Sequence, residues 1–93
     1  MIGQEAAETA ALRVLAWLMG DDEARDGFLG ASGAAPGDLA ALAGEPAFLG
    51  AVLDFVLERD AWVVEAAAAA GLAPERMAEV RAALPGGAVP DWT

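Results

Sequence analysis

The stretch from residue 45 to residue 58 constrains the fold more than any other part of the chain. It reads Glu-Pro-Ala-Phe-Leu-Gly-Ala-Val-Leu-Asp-Phe-Val-Leu-Glu and is the densest apolar run in the sequence. At about 100° per residue its large apolar side chains cover roughly 200° of a helix surface, whereas a surface helix needs a stripe of only about 100°. We therefore predict a helix over 46–58 that the rest of the chain covers on two sides.

The composition of the chain favours helix nearly everywhere. Alanine, the strongest helix former, makes up about a quarter of the residues. No stretch alternates apolar and polar residues with the period of a strand. We predict an all-α fold, a small single-domain bundle of five to six short helices around a central helix 46–58. The helical domain is predicted to span 1–85, and an extended C-terminal tail to span 86–93.

Glycine and proline divide the chain at two similar places. Gly33-x-x-Pro36 recurs as Gly71-x-x-Pro74 at an offset of 38 residues. Glycine can end a helix in the left-handed conformation, and proline suits the first turn of the next helix. These signals predict two similar helical hairpins packed on opposite sides of the central helix. Asp60 is predicted to cap a fifth helix over 61–70.

The last predicted helix begins at Pro74 and has one apolar side. Met77, Val80 and Leu84 recur at helical spacing and are predicted to face inward. Glu79 and Arg81 then fall on the outward side.

Charge and missing residue types exclude several functions. Fifteen acidic residues stand against five arginines, which gives a net charge of −10, and the chain has neither cysteine nor histidine. Disulfides, thiolate sites and the usual zinc sites are therefore excluded. The negative charge opposes binding to nucleic acid and to anionic membranes. Without a secretory leader or a long apolar stretch, we expect a soluble cytoplasmic protein.

Hydroxyl residues are too few to suggest catalysis. Thr9, Ser32 and Thr93 are the complete set, and no histidine, lysine or cysteine could activate one of them. Paired carboxylates could act on a sugar only in a cleft, which a helical domain of this size rarely has. We predict that the protein is not an enzyme, has no catalytic residues and needs no cofactor.

The acidic cluster over 21–26 suggests an alternative, a weak Ca²⁺- or Mg²⁺-dependent regulatory protein. Its members are Asp21, Asp22, Glu23 and Asp26. The side chains that such a site would use are Asp22 and Asp26, which with Gly27 match part of the calcium-loop pattern. The pattern fails at Ala24 and at Gly33, where oxygen ligands are required. We therefore assign no metal site and interpret the cluster as the acidic start of a helix.

The Gly-x-x-Pro turns suggest a second alternative, a helix-turn-helix nucleic-acid binder. A recognition helix carries basic and amide side chains at its beginning. Here Asp38 places an acid after the first turn, and Glu75 and Arg76 place one residue of each sign after the second. Together with the overall charge, this disfavours the alternative.

Tryptophans are the remaining candidates for contact with another protein. Trp92 lies in the predicted tail, Trp62 early in the fifth helix, and Trp17 on the flank of the first helix, one turn after Arg13. Tryptophan is enriched at the centres of interfaces. The core is the favoured interpretation for Trp17 and Trp62, whereas Trp92 could dock onto another protein or onto the chain's own helices. Arg13 could also lie over the Trp17 indole.

Several segments together resemble a known family. They are Phe28-Leu29, Gly33-x-x-Pro36-x-Asp38-Leu39, the run 44–55, and Ala70-Gly71-Leu72-x-Pro74-Glu75. The chain resembles a family of short, uncharacterised proteobacterial proteins catalogued as a domain of unknown function. This resemblance implies a stand-alone cytoplasmic domain and carries no activity or catalytic residues.

Elimination leaves a non-enzymatic, acidic protein-interaction or assembly module. Its expected partner is another protein, such as a basic one, or a second copy of the chain. Neither nucleic acid nor membrane is expected as a partner.

Overall fold

The computed structural model describes residues 2–85, which form six α-helices and no strand. This confirms the predicted all-α bundle. A single turn of 3-10 helix leads into the third and the sixth helix. The α-helices are α1 Gln4–Gly20, α2 Asp22–Ser32, α3 Leu39–Leu42, α4 Pro46–Val56, α5 Asp60–Ala70 and α6 Met77–Ala82, and the 3-10 turns are Pro36–Asp38 and Pro74–Arg76.

Helix α4 lies in the core, as its apolar density predicts. It begins at Pro46 and packs against α1, α2, α5 and α6. Its buried residues are Leu49, Gly50, Val52, Leu53 and Val56. The helix ends at Val56, two residues before the predicted end, and Leu57 and Glu58 form a turn.

Helix α1 shares the central position with α4. It packs against α2, α4, α5 and α6. The side of α1 that faces these helices includes Ala7 and Ala11, both fully buried. Alanine has little side chain, so neighbouring backbones can approach α1 closely.

The two Gly-x-x-Pro segments have the predicted local structure. Gly33 and Gly71 adopt φ angles of 76° and 75°, in the left-handed region that favours glycine. At the end of α5, the Gly71 N–H donates to the Ala68 carbonyl at 3.2 Å and the Leu72 N–H donates to the Ala67 carbonyl at 2.9 Å. This pair of bonds is the Schellman arrangement, which satisfies carbonyl groups left free at the helix end.

The two predicted acidic helix starts differ. The Asp21 carboxylate accepts a hydrogen bond from the Ala24 N–H at 2.9 Å and so caps α2. The prediction that Asp60 caps the fifth helix is wrong by one residue. Asp60 is the first helical residue, and the capping position belongs to Arg59, whose side chain makes no capping bond.

The predicted tail 86–93, and with it Trp92, lies outside the described residues. Among the helices of residues 2–85, none combines the length and the apolar character that a membrane crossing requires.

Candidate functional site

A groove of about 210 Å³ lies between α2 and α4. We call it the α2/α4 groove. Its floor is apolar and one side of its rim is acidic. The lining residues are Phe28, Ala31 and Ser32 from α2, Ala51, Asp54 and Phe55 from α4, and Glu58 from the turn that follows α4.

Aromatic packing fixes the floor of the groove. The Phe28 ring meets Phe48 edge-on, with centroids 5.6 Å apart, and meets Phe55 edge-on at 5.5 Å. Phe55 in turn stacks on Trp62 at 5.0 Å and 26°. Edge-on and offset contacts of this kind stabilise aromatic clusters beyond the burial of their area. The floor is therefore part of a continuous aromatic core.

Gly27 allows the Phe55 ring to approach the backbone of α2. A Cβ atom at Gly27 would lie 3.1 Å from the Phe55 Cζ atom, closer than ordinary van der Waals contact. Glycine in a helix interior costs stability relative to alanine. At Gly27, the missing side chain lets α2 and α4 approach each other closely, and this approach forms the groove.

Asp54 on the groove rim forms a two-point ion pair with Arg81. The Arg81 Nε donates to Asp54 Oδ1 at 2.6 Å, and Nη2 donates to Oδ2 at 2.9 Å. Arg81 Nη1 also donates to the Pro85 carbonyl at 3.0 Å. The prediction that Arg81 faces outward is wrong, since only 13% of its side chain is exposed. Its guanidinium joins α6 and the following turn to α4.

Gly50 makes room for this ion pair. A Cβ atom there would lie 2.7 Å from Arg81 Nη1 and 2.9 Å from the Pro85 carbonyl oxygen. The guanidinium therefore lies directly against the backbone of α4.

Glu58 supplies uncompensated negative charge at the groove. Its side chain is exposed, and none of the ion pairs within residues 2–85 includes it. The charge of Asp54 is balanced by Arg81, although 59% of the Asp54 side chain remains exposed. Both carboxylates line the groove, so a positively charged ligand bound there would lie near Glu58 and Asp54.

The tryptophans predicted as contact residues lie in different environments. Trp62 belongs to the core, with 7% of its surface exposed, so it has too little free surface to anchor a partner. Trp17 is half-buried and packs against the core. Trp92 is outside the described residues. The guanidinium–indole contact in the described part of the chain joins Arg59 and Trp62, at 4.3 Å, rather than Arg13 and Trp17.

The acidic cluster of the cation alternative is used in local pairing. Asp22 and Asp26 each form an ion pair with Arg25, at 3.2 Å and 3.3 Å, and Glu23 pairs with Arg59 at 3.0 Å. Within residues 2–85, no three His, Cys, Asp or Glu side chains are grouped so that they could hold a metal ion.

The short helices after the Gly-x-x-Pro turns present little positive charge. Asp38 accepts a hydrogen bond from the Ala35 N–H at 3.3 Å. Arg76 Nε donates to Glu79 Oε1 at 2.6 Å, and this hydrogen bond lowers the pKa of Glu79. The arginine that could have met a phosphate is thus engaged by a carboxylate.

Comparison with known proteins identifies the family. A family model described as "Protein of unknown function (DUF3572)" matches residues 4–87. The chain belongs to this family. Searches of curated proteins and of solved structures found no match. The resemblance to a domain of unknown function is thereby confirmed, and the DUF3572 match includes every residue of the α2/α4 groove.

Sequence reasoning missed the groove in this DUF3572 chain. Its parts come from separate helices, and no motif joins them. Gly27 inside a helical pattern was the available signal, because glycine at such a position marks close approach of another group, here the Phe55 ring.

Proposed function

We propose that this DUF3572 protein is a non-enzymatic interaction module that binds a basic segment of another protein. The observation that carries the proposal is the distribution of charge. Within residues 2–85 no polar or charged residue is buried, so the excess of acidic side chains lies at the surface. A surface of one sign raises the local concentration of oppositely charged partners and speeds their association.

The hydroxyl groups of the described residues support a non-catalytic function. Thr9 Oγ1 donates to the Glu5 carbonyl at 3.2 Å, and Ser32 Oγ accepts from the Ala34 N–H at 3.2 Å. Both hydroxyls are engaged with nearby backbone, and the sequence has no histidine, lysine or cysteine that could activate either of them. We also propose a location in the bacterial cytoplasm, which the family resemblance implies.

Affinity capture tests this function. The full chain is immobilised and exposed to bacterial extract at about 50 mM salt, where charge attraction acts over more than 10 Å. We expect a reproducible basic protein that is released at about 0.5 M salt. A variant without three exposed carboxylates should retain less of it, and a variant with three exposed neutral changes should retain as much as the unmodified chain. The first variant is Glu45→Gln, Glu58→Gln, Glu65→Gln, and the second is Ala40→Gln, Ala68→Gln, Ala78→Gln.

Light scattering over a concentration series separates this function from self-assembly. We expect the mass of one chain at every concentration, because copies that carry a charge of −10 repel each other. A dimer that dissociates in the Trp92→Ala variant would contradict the proposed partner class and favour an assembly module.

A further inference from the structure

The α2/α4 groove combines an apolar floor with an acidic rim. We propose that it is the docking site for a partner segment that inserts one aromatic or long aliphatic side chain next to a lysine or arginine. This inference rests on the proposed function and names its site.

The size and rigidity of the groove suit a single side chain. Its volume of about 210 Å³ lies below the roughly 300–1,000 Å³ of pockets that hold small molecules or cofactors. The small side chains of Ala31 and Ala51 leave room in the groove, and Phe28 and Phe55 also line it. Because aromatic contacts hold both rings in place, an incoming side chain meets a preformed surface. Anchors of this kind carry much of the binding energy in protein interfaces.

The rim selects the charge of the segment. Glu58 has no ion pair among the described residues, and Asp54 remains partly exposed beside its arginine. A cation next to the inserted side chain would approach Glu58, whereas an anion would be repelled. Exposed ion pairs contribute little affinity, so the apolar anchor should supply most of the binding and the rim most of the selectivity.

Charge also indicates whether the groove binds a partner protein, the chain's own segment 86–93 or a second copy. The segment 86–93 contains Trp92, but its charged side chain is Asp91 and it has no basic residue. A second copy would bring a further charge of −10 to the rim. A basic partner satisfies both features of the groove, and either of these alternatives satisfies only the apolar one.

The test uses tripeptide probes and backbone amide NMR of the full chain. The first probe is acetyl-Lys-Trp-Lys-amide, the second replaces both lysines by glutamate, and the third replaces the tryptophan by alanine. We expect saturable shifts with the first probe, concentrated on amides that surround Phe28, Ala51 and Phe55. The other two probes should bind at least about fivefold more weakly, because the second lacks the positive charges and the third lacks the indole.

Matched variants locate the binding. Ala51→Leu fills the groove from an exposed helix position and should weaken the first probe at least about fivefold. Glu58→Gln should weaken it about two- to threefold. Ala68→Leu and Glu65→Gln make the same chemical changes at exposed positions of α5 and should leave the affinity unchanged. Circular dichroism of each variant shows that the helices are intact.

The outcomes separate this site from the proposed function. If Ala51→Leu leaves the affinity for the first probe unchanged, the groove is not the docking site. That result would overturn this inference but not the proposed binding of basic partners. Absence of saturable binding by the first probe, together with no basic protein captured from extract, would overturn both. Tighter probe binding after Trp92→Ala would show that the chain's own tail occupies the groove. Shifts of the same amides with protein concentration alone would show a second copy there, and either result would overturn a partner site.

Discussion

Gly50 lies on the buried side of α4, against the Arg81 guanidinium and the Pro85 carbonyl. Gly50→Ala gains about 1 kcal/mol of helix propensity, but the added methyl group forces a shift that costs about 1–3 kcal/mol. We expect a net loss of about 1 kcal/mol in the free energy of unfolding, measured by urea denaturation with far-UV circular dichroism. Gly30→Ala is the control, because nothing lies within 4 Å of its added methyl group. It should stabilise the fold by about 0.5 kcal/mol, and equal effects at the two positions would contradict the packing argument.

Glu79 provides a residue-scale test of electrostatics. The hydrogen bond from Arg76 lowers the pKa of Glu79 from its ordinary value of 4.5. Because the folded pKa lies below the unfolded one, the contribution of Glu79 to stability is present above about pH 4.5. It is lost as the pH falls through the folded pKa.

The Glu79 carboxyl can be titrated directly by carbon NMR. We expect a midpoint below 4.5 that moves upward in Arg76→Gln. Arg25→Gln, which removes an arginine paired with acids of α2, should leave the midpoint unchanged. If the titration midpoint of Glu79 is unchanged in Arg76→Gln, the hydrogen bond is not the main cause of the lowered pKa.

At the scale of elements, the Arg81–Asp54 pair connects α6 to α4. Its two hydrogen bonds and the low exposure of Arg81 distinguish it from an ordinary surface pair. A double-mutant cycle with Arg81→Ala and Asp54→Ala should give a coupling energy of about 1 kcal/mol. Arg81→Lys keeps the charge but cannot reproduce the two-point contact, so it should recover less than half of the stability lost in Arg81→Ala.

The Arg59–Glu23 pair is the matched control for that cycle. It joins the residue that precedes α5 to α2 through one bond of 3.0 Å, with the Arg59 and Glu23 side chains 56% and 73% exposed. Its coupling energy should be about 0.5 kcal/mol or less. If the coupling energy of the Arg81–Asp54 pair is no larger than that of the Arg59–Glu23 pair, the two-point geometry adds no stability.

Elements with local causes could be predicted from the sequence. Gly33 and Gly71 end helices because glycine tolerates positive φ, and the prolines three residues later begin the next turns. The apolar density of 46–58 placed α4 in the core for a similar reason. These predictions need only the chemistry of neighbouring residues.

Elements that depend on distant partners could not be predicted. Arg81 was predicted to face outward because helical spacing placed it on the side away from the apolar residues of α6, but its partner Asp54 lies 27 positions away in the sequence. The central position of α1 was obscured because Ala7 and Ala11 bury little area while they permit close packing. The groove depends on how Phe28 and Phe55 bring α2 against α4, which no local pattern specifies.

At the scale of the whole molecule, helices with an apolar interior carry a surface of strongly negative charge. Such a surface attracts basic partners, and its effect weakens as salt screens the charges. The groove adds an apolar binding site to this negatively charged surface. A partner should therefore need both a cation and a large apolar side chain to bind.

The most direct test of this account is the ratio of affinities of the unmodified full chain for acetyl-Lys-Trp-Lys-amide and acetyl-Glu-Trp-Glu-amide. Both probes carry the same indole and differ in the charge of the flanking residues. The ratio therefore measures how strongly the protein surface prefers a positively charged probe. We expect a ratio of at least about five at about 50 mM salt, falling toward one at about 1 M salt. Equal affinities at low salt, or a preference for the acidic probe, would contradict the claim that this is a module for basic partners.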